Sequence, residues 1–369
     1  MRIFFNELYK IFIKRKLIVL FVAVLLLECV GAFSSFDKST VMDADSLSVY
    51  NQYMNEYGGE LTQEKREIIE HLIETTRRSD ALKSEIRNEY LKGEISLEEY
   101  KSGLKKIQED TKGEEGFFNF VSAYYNAVNL GINLADSHIW DVLFGYGGID
   151  FLLVISIVMM VIALTVYDDE TGTNQLKYSL KKGKSFLISV QIITAIMISF
   201  VFSAFVFAGR FVIASVFFNL DGFSNPLNFS GIFSFTPWNL TLIEGYFYIS
   251  LIKTGGCVYL SLLTMLIGQL CRSSLYSIFA GVVSVYIPGY ILTDVWGKYM
   301  LPIPSSLLSG NGYFSMSESG SIITALTGET SVKSFTTMQL ILYFSGIFIL
   351  LFLLCVINRL LWVKRKAVR

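Results

Sequence analysis

The sequence predicts an all-α integral membrane protein: six transmembrane helices, with a helical extracellular insertion between spans one and two. Three observations carry this. The chain is 52% hydrophobic and only 17% charged, with a mean hydropathy of +0.49, whereas soluble domains sit near about 25% charged. Its apolar residues gather into runs as long as the roughly 20 residues that cross a bilayer. Lys and Arg crowd into the short loops of one side.

The first element is Met1–Lys16, MRIFFNELYKIFIKRK. Ile3, Phe4, Leu8, Ile11 and Phe12 recur at helical spacing, with Glu7, Lys10 and Lys14 between them. This reads as a cytosolic amphipathic helix in the membrane interface, or as a basic flank that only sets topology. No small-residue cleavage site follows, so Leu17–Phe36 reads as a retained first span.

Residues 37–148 form the extracellular helical domain. Leu61–Leu91 places Ile68, Leu72, Leu82, Ile86 and Tyr90 largely on one face, and Gly93 ends the run. Ser96 and Glu99 make a capping box, after which Leu97, Tyr100, Leu104 and Ile107 form a second stripe. An antiparallel helical hairpin fits the pair, its stripes serving either as hairpin core or as a ligand surface. The aromatic segment Phe117–Phe144, with Phe117, Phe118, Phe120, Tyr124, Tyr125, Trp140 and Phe144, predicts an interface-lying helix leading back to the membrane.

Residues 149–369 hold five more spans: Ile149–Tyr167, Phe186–Phe218, Leu242–Leu270, Leu275–Thr293 and Met338–Trp362. The run Phe186–Phe218 exceeds what a bilayer needs, so it must tilt, kink or protrude. The loop Asp294–Thr337 carries Pro302, Pro304 and the apolar stretch Ile322–Leu326, a pattern that dips into a leaflet when protein shields it. Arg2, Lys10, Lys14, Arg15, Lys16, Arg272, Arg359, Lys364, Arg365, Lys366 and Arg369 fall on one side, with the lysines of 168–185. The short loops of the other side hold only Lys298 and Lys333. Both termini are therefore expected in the cytoplasm of a multi-pass plasma-membrane protein.

Several chemistries are disfavoured. Net charge is −1, which gives no reason to expect nucleic acid. Gly183-Lys184-Ser185 ends like a P-loop, but Tyr178 stands where the motif needs its first Gly. The two histidines, His71 and His138, lie far apart, and no His/Cys cluster has metal-ligand spacing. No GxSxG occurs. An intramembrane enzyme thus lacks a nucleophile, base or metal set, and the chain is expected to bind no cofactor. Cys29, Cys257, Cys271 and Cys355 lie in or beside apolar runs and read as packing residues rather than a disulfide framework.

Charges inside apolar runs carry more weight, since each costs roughly 3 kcal/mol at the bilayer centre. Glu28 lies about 16 Å along the first span and Lys253 about as far into the fourth, at 1.5 Å per residue. Arg210 and Glu244 lie nearer the outer boundary, within reach of headgroups. Opposite signs predict a Glu28–Lys253 pair, which would line a pathway or gate or serve as a buried structural pair; the remaining alternative is two groups facing water under the external domain.

The most informative stretch is Tyr167–Ser185, YDDETGTNQLKYSLKKGKS, between two apolar runs. Asp168, Asp169 and Glu170 open it, read as a solvated acidic turn. Gly172 breaks it, and Lys177, Lys181, Lys182 and Lys184 close it. Thr173–Leu180 is long enough for about two helical turns lying across the membrane face. Such a helix is placed to be pushed by a soluble partner.

On these residues the chain resembles the membrane subunits of type-2 ATP-binding-cassette (ABC) exporters. That family has six spans with both ends inside, an amphipathic helix before the first, and a cytosolic coupling helix between spans two and three. Its coupling helix runs acid, Gly, Leu, then a basic residue; Glu170, Gly172, Leu176, Leu180 and Lys184 match in order. The Arg272-Ser273-Ser274 turn and the Pro-containing loop after span five are also similar. Lys181-Lys182-Gly183 replaces the usual Pro, and Gln191 stands where a Lys often lies. The resemblance excludes residues 37–148. It implies a nucleotide-binding subunit, carrying ATP and Mg, docked on 168–185 (Asp169 included) and on the N-terminal helix around Glu7. It also implies a second permease subunit, contact with membrane lipid, and export of amphiphilic cargo. The rival expectation is a non-transporting membrane sensor or immunity protein whose external domain binds a peptide.

Overall fold

The computed structural model describes residues 9–14, 16–37, 43–74, 88, 92, 96, 99, 114–145, 149–171, 183–218, 220–233, 236–291, 301–314, 317–318, 332–333 and 335–364. Most of these are helical; the strand pairing among the described residues is a two-residue antiparallel ladder, Ser317–Glu318 with Val332–Lys333, and two isolated bridges, Gly59 with Leu134 and Pro226 with Thr241. In chain order the helices are α1 (Leu17–Phe36), α2 (Ala44–Tyr57), α3 (63–74), α4 (Glu114–Leu130), α5 (His138–Gly145), α6 (Phe151–Thr165), α7 (Gly183–Phe217), α8 (Leu242–Cys271), α9 (Ser274–Ile291), α10 (Pro304–Ser309) and α11 (Thr337–Lys364). Five helices are long and apolar enough to cross a membrane: α1, α7 from Phe186, α8, α9, and α11 as far as Val363. The chain is thus a multi-pass helical membrane protein.

The structure divides into two compact units. One comprises residues 1–33, 140–219 and 226–369, the other residues 34–139 and 220–225.

In the membrane unit α8 is the hub, packing against α6, α7, α9, α10 and α11. Its start is fixed by a capping box: Glu244 accepts from the Thr241 N–H at 2.9 Å, and Thr241 Oγ1 accepts from the Glu244 N–H at 3.4 Å. It stops at Arg272, whose backbone is left-handed. Close packing relies on small residues. A Cβ at Gly256 would lie 2.9 Å from the Leu308 nitrogen of α10, and one at Gly268 would lie 2.6 Å from Val166 Cγ2. This is how membrane helices approach when apolar burial alone does not drive them together. Every residue of α10 is buried, so the loop after α9 does enter protein-shielded space at Pro304. The stretch Ile322–Leu326 lies outside the described residues.

α6 is shorter than the expected span, because Asp150 caps its start and Val166 caps its end. The backbone nevertheless continues: Val166 is right-handed helical, its N–H reaches Ile162 O, and the Glu170 N–H reaches Val166 O. The helical path from Phe151 to Glu170 is about 30 Å. α7, at 35 residues, is about 52 Å long and exceeds a hydrocarbon core. Ahead of α1, residues 1–8 with Glu7 lie outside the described set. Lys10–Lys14 form a π-helical turn, and Lys16 at φ 53 separates it from α1.

The second unit has its own core of Tyr50, Ile69, Ile73, Phe117, Phe120 and Tyr124. Two sequence expectations change here. The buried face of α3 centres on Ile69 and Ile73, with Ile68 exposed, because i and i+4 residues share a stripe. The segment 117–144 is not one interface-lying helix. It breaks at Gly131 (φ +63), and Phe117, Phe120 and Tyr124 turn into the core while Phe118 and Tyr125 face out. Of the expected hairpin, Leu82, Ile86, Gly93, Leu97, Tyr100 and Leu104 lie outside the described residues, while the Ser96–Glu99 capping bonds form at 2.9–3.2 Å. Hydrogen bonds from Ser46 and from Ser96 hold the Asp43 and Glu99 carboxyls below their ordinary range.

The α2–α4 crossing depends on Gly116. A Cβ there would stand 1.9 Å from the Ser46 carbonyl oxygen and 2.7 Å from its carbon, both backbone atoms that cannot rotate away. Gly116→Ala should destabilise this unit by about 1–3 kcal/mol, the usual cost of overpacking. Amide exchange of 44–57 and 114–130 would rise relative to α8. Unchanged protection would show that the helices do not cross this closely.

Candidate functional site: a buried charge cluster

The site begins at the head of α6. Asp150 immediately precedes an apolar run, the position where a short acid serves as N-cap. Its Oδ1 accepts from the Leu153 N–H at 3.2 Å. The other oxygen, Oδ2, takes a hydrogen bond from Arg210 Nη2 on α7, and the same nitrogen donates to Glu28 Oε2 on α1. One guanidinium thus ties three helices. Arg210 and Glu28 are each only 4% exposed, so both charges depend on one another for solvation. Glu28 Oε1 is buried with no hydrogen-bond partner among the described residues.

α8 closes the other side. The Tyr246 hydroxyl donates to Phe207 O at 2.8 Å, and its ring stacks on Phe211, centroids 5.5 Å apart. Lys253, two turns on, is also buried. Its stem runs over Gly310, whose added Cβ would meet Lys253 Cγ at 3.1 Å. The Glu28–Lys253 pair expected from sequence does not form. Glu28 goes to Arg210, and Lys253 has no ion pair among the described residues, although it is within electrostatic reach of Asp150 and Arg210. Depth along each span matched Glu28 with Lys253, but lateral packing sets α7, not α8, against the acid.

Arg210 is therefore the bridge at the centre, not an arginine reaching outward to headgroups. Glu244 does not join the cluster and instead caps the exposed first turn of α8. The four formal charges balance: Glu28 and Asp150 against Arg210 and Lys253. Asp150 escaped the sequence reading because it sits at a span boundary. Its signal was the cap pattern Asp-Phe-Leu-Leu itself.

At the opposite end of α6, Glu170 accepts from the Ser274 N–H at 2.6 Å and from Ser274 Oγ at 2.7 Å, and so caps α9. Asp168 is 1% exposed, which corrects the reading of the acidic turn as solvated: the turn Tyr167–Glu170 continues α6 and carries Asp168 inward. Gly172, Leu176 and Leu180 lie outside the described residues, as do the side chains of Asp169 and Lys184. Deeper in the same end, Gln269 Nε2 donates to Asn358 Oδ1 at 3.1 Å, and Asn358 Nδ2 donates to Leu262 O at 3.1 Å. These bonds join α8 to α11 inside the bundle.

Fold and cluster together define a polytopic α-helical membrane protein with a charge-balanced polar centre. No family model, curated protein or solved structure matches the chain.

Proposed function

We propose that the chain is the permease subunit of an ABC exporter, moving an amphiphilic peptide, antibiotic or lipid-like molecule out of the cell. The observation that carries this is the connection from α6 to α7: acid, Gly, Leu, Leu and Lys in family order, with Glu170 anchored to the first residue of α9. On this reading α6 and its added turn make the sixth span, since about 30 Å of helix crosses a hydrocarbon core. On the same reading both termini and residues 168–185 would lie in the cytoplasm and residues 37–148 outside, as the excess of Lys and Arg in the short loops of one side favours.

Two such subunits would each receive a nucleotide-binding subunit that carries ATP and Mg. Its closure would press on Asp169–Lys184 and on the helix around Glu7. The Glu28–Asp150–Arg210 bridge and Lys253 would sit on helices that move past one another. A two-state bundle biased by ATP is what such coupling requires.

The test is purification of the full chain from its native membrane. A P-loop ATPase should co-purify in equal stoichiometry, and its hydrolysis should fall when the two are separated. Recovery of the chain alone, with a peptide bound to the unit of residues 34–139, would favour the sensor or immunity reading instead.

A further inference from the structure

The membrane unit holds a second feature, independent of the ATPase reading. A groove of about 910 Å³ opens between α8, α10 and α11. Its walls are apolar, from Tyr248 and Gly255 on α8 through Leu307 on α10 to Phe344 on α11. Along α11 it runs from Thr337 to Ile349, about 18 Å at 1.5 Å per residue. One leaflet of hydrocarbon is about 15 Å deep, half of a bilayer core. The groove thus runs about the depth of a single leaflet.

Its lining carries one polar demand. Among the lining side chains, Trp238 is the one with a buried polar atom, Nε1, that has no hydrogen-bond partner in the described residues. The Ser345 hydroxyl, by contrast, already donates to Ile341 O at 2.7 Å. Trp238 lies four residues before α8 and lines the groove, as does Thr337, the first residue of α11. That is the level where indoles sit in the headgroup region.

We propose that this groove binds a phospholipid of the adjacent leaflet, its acyl chain between α8 and α11 and an ester carbonyl accepting the Trp238 N–H. A transmembrane helix of a second copy fits less well. Its backbone carbonyls are already used within the helix, and an apolar side chain offers the indole no acceptor.

The probe is a phosphatidylcholine with a diazirine on one acyl chain, added to the full chain in detergent and photolysed. Saturable labelling should map to residues 248–255 and 340–349 and be competed by unlabelled phosphatidylcholine. Gly255 has open space where a Cβ would stand, so Gly255→Phe should fill the groove and cut that labelling more than about tenfold, while Gly255→Ala should leave it near wild type. Trp238→Phe keeps the apolar wall and removes the donor, so apparent affinity should drop about fivefold, one neutral hydrogen bond's worth, with label positions unchanged. Should Gly255→Phe fail to fold, wild type and Trp238→Phe decide the matter. Non-saturable labelling equal to that on the exposed α9 face of Leu275, Tyr276 and Phe279 would overturn the site. So would chain-to-chain cross-links through the groove with lipid excluded. Unchanged affinity in Trp238→Phe would overturn the carbonyl contact.

Discussion

Arg210→Met should lose most of its folded protein, with monodisperse yield in detergent falling more than about tenfold. The residue is 4% exposed and holds both Glu28 and Asp150. Removing one partner of a buried pair costs about 3–5 kcal/mol, because the remaining charge has neither water nor counter-ion. Here two carboxylates are stranded, against a total stability that for most domains is only about 5–15 kcal/mol. Arg210→Lys should rescue in part, since an ammonium is a compact charge without the planar fork that spans two acceptors. Charge balance gives a sharper test. Arg210→Met with Glu28→Met leaves Asp150 facing Lys253 and should recover much of the yield. Lys253→Met alone should be milder than Arg210→Met, because Lys253 makes no ion pair among the described residues. Wild-type yield in the Arg210→Met single variant would remove the cluster as a structural centre.

The chain's long apolar runs were legible because a membrane helix satisfies its own backbone and shows its whole length as apolar residues. Leu17–Phe36 is a helix between the same residues that the sequence marks, and α7, α8, α9 and α11 differ from their predicted spans only near the ends. Charge pairing was not legible. A sequence gives depth along each helix, and depth gave Glu28 and Lys253 equal claims. Which face each helix turns to which neighbour is decided by packing, here by Gly256 against α10 and by the aromatic contacts of Phe21 with Phe202 and Phe205 that set α1 against α7. Asp150 was hidden by its place as the second residue of a predicted span, where an acid reads as the span's edge and not as a charge in need of a partner. Asp168 was hidden by its neighbours, since three acids in a row read as solvated until the helix places one of them inward. The Trp238 indole carries no sequence signal beyond its place near the head of a span.

The largest functional effect is expected at Glu170. Its carboxylate takes both donors of Ser274 and so links the turn that continues α6 to the start of α9. In the proposed exporter, force applied to 168–185 reaches α9 through this contact. Glu170→Ala should lower cargo transport by about tenfold, since hydrogen bonds to a charged acceptor are stronger than neutral ones. The ATPase subunit should still bind, because Lys184 and the segment before it remain. Glu170→Gln keeps an acceptor for the Ser274 N–H while removing the charge that favours a helix N-terminus, and should fall between the two. Ser274→Ala removes the hydroxyl donor but not the N–H, and should cost less than Glu170→Ala. A docking role gives a different pattern: Glu170→Ala and Glu170→Gln would both lose the ATPase subunit, and Ser274→Ala would behave as wild type. Transport, ATPase co-purification and ATP hydrolysis measured on the three variants separate relay from docking. Full transport in Glu170→Ala with the subunit bound would sink both roles.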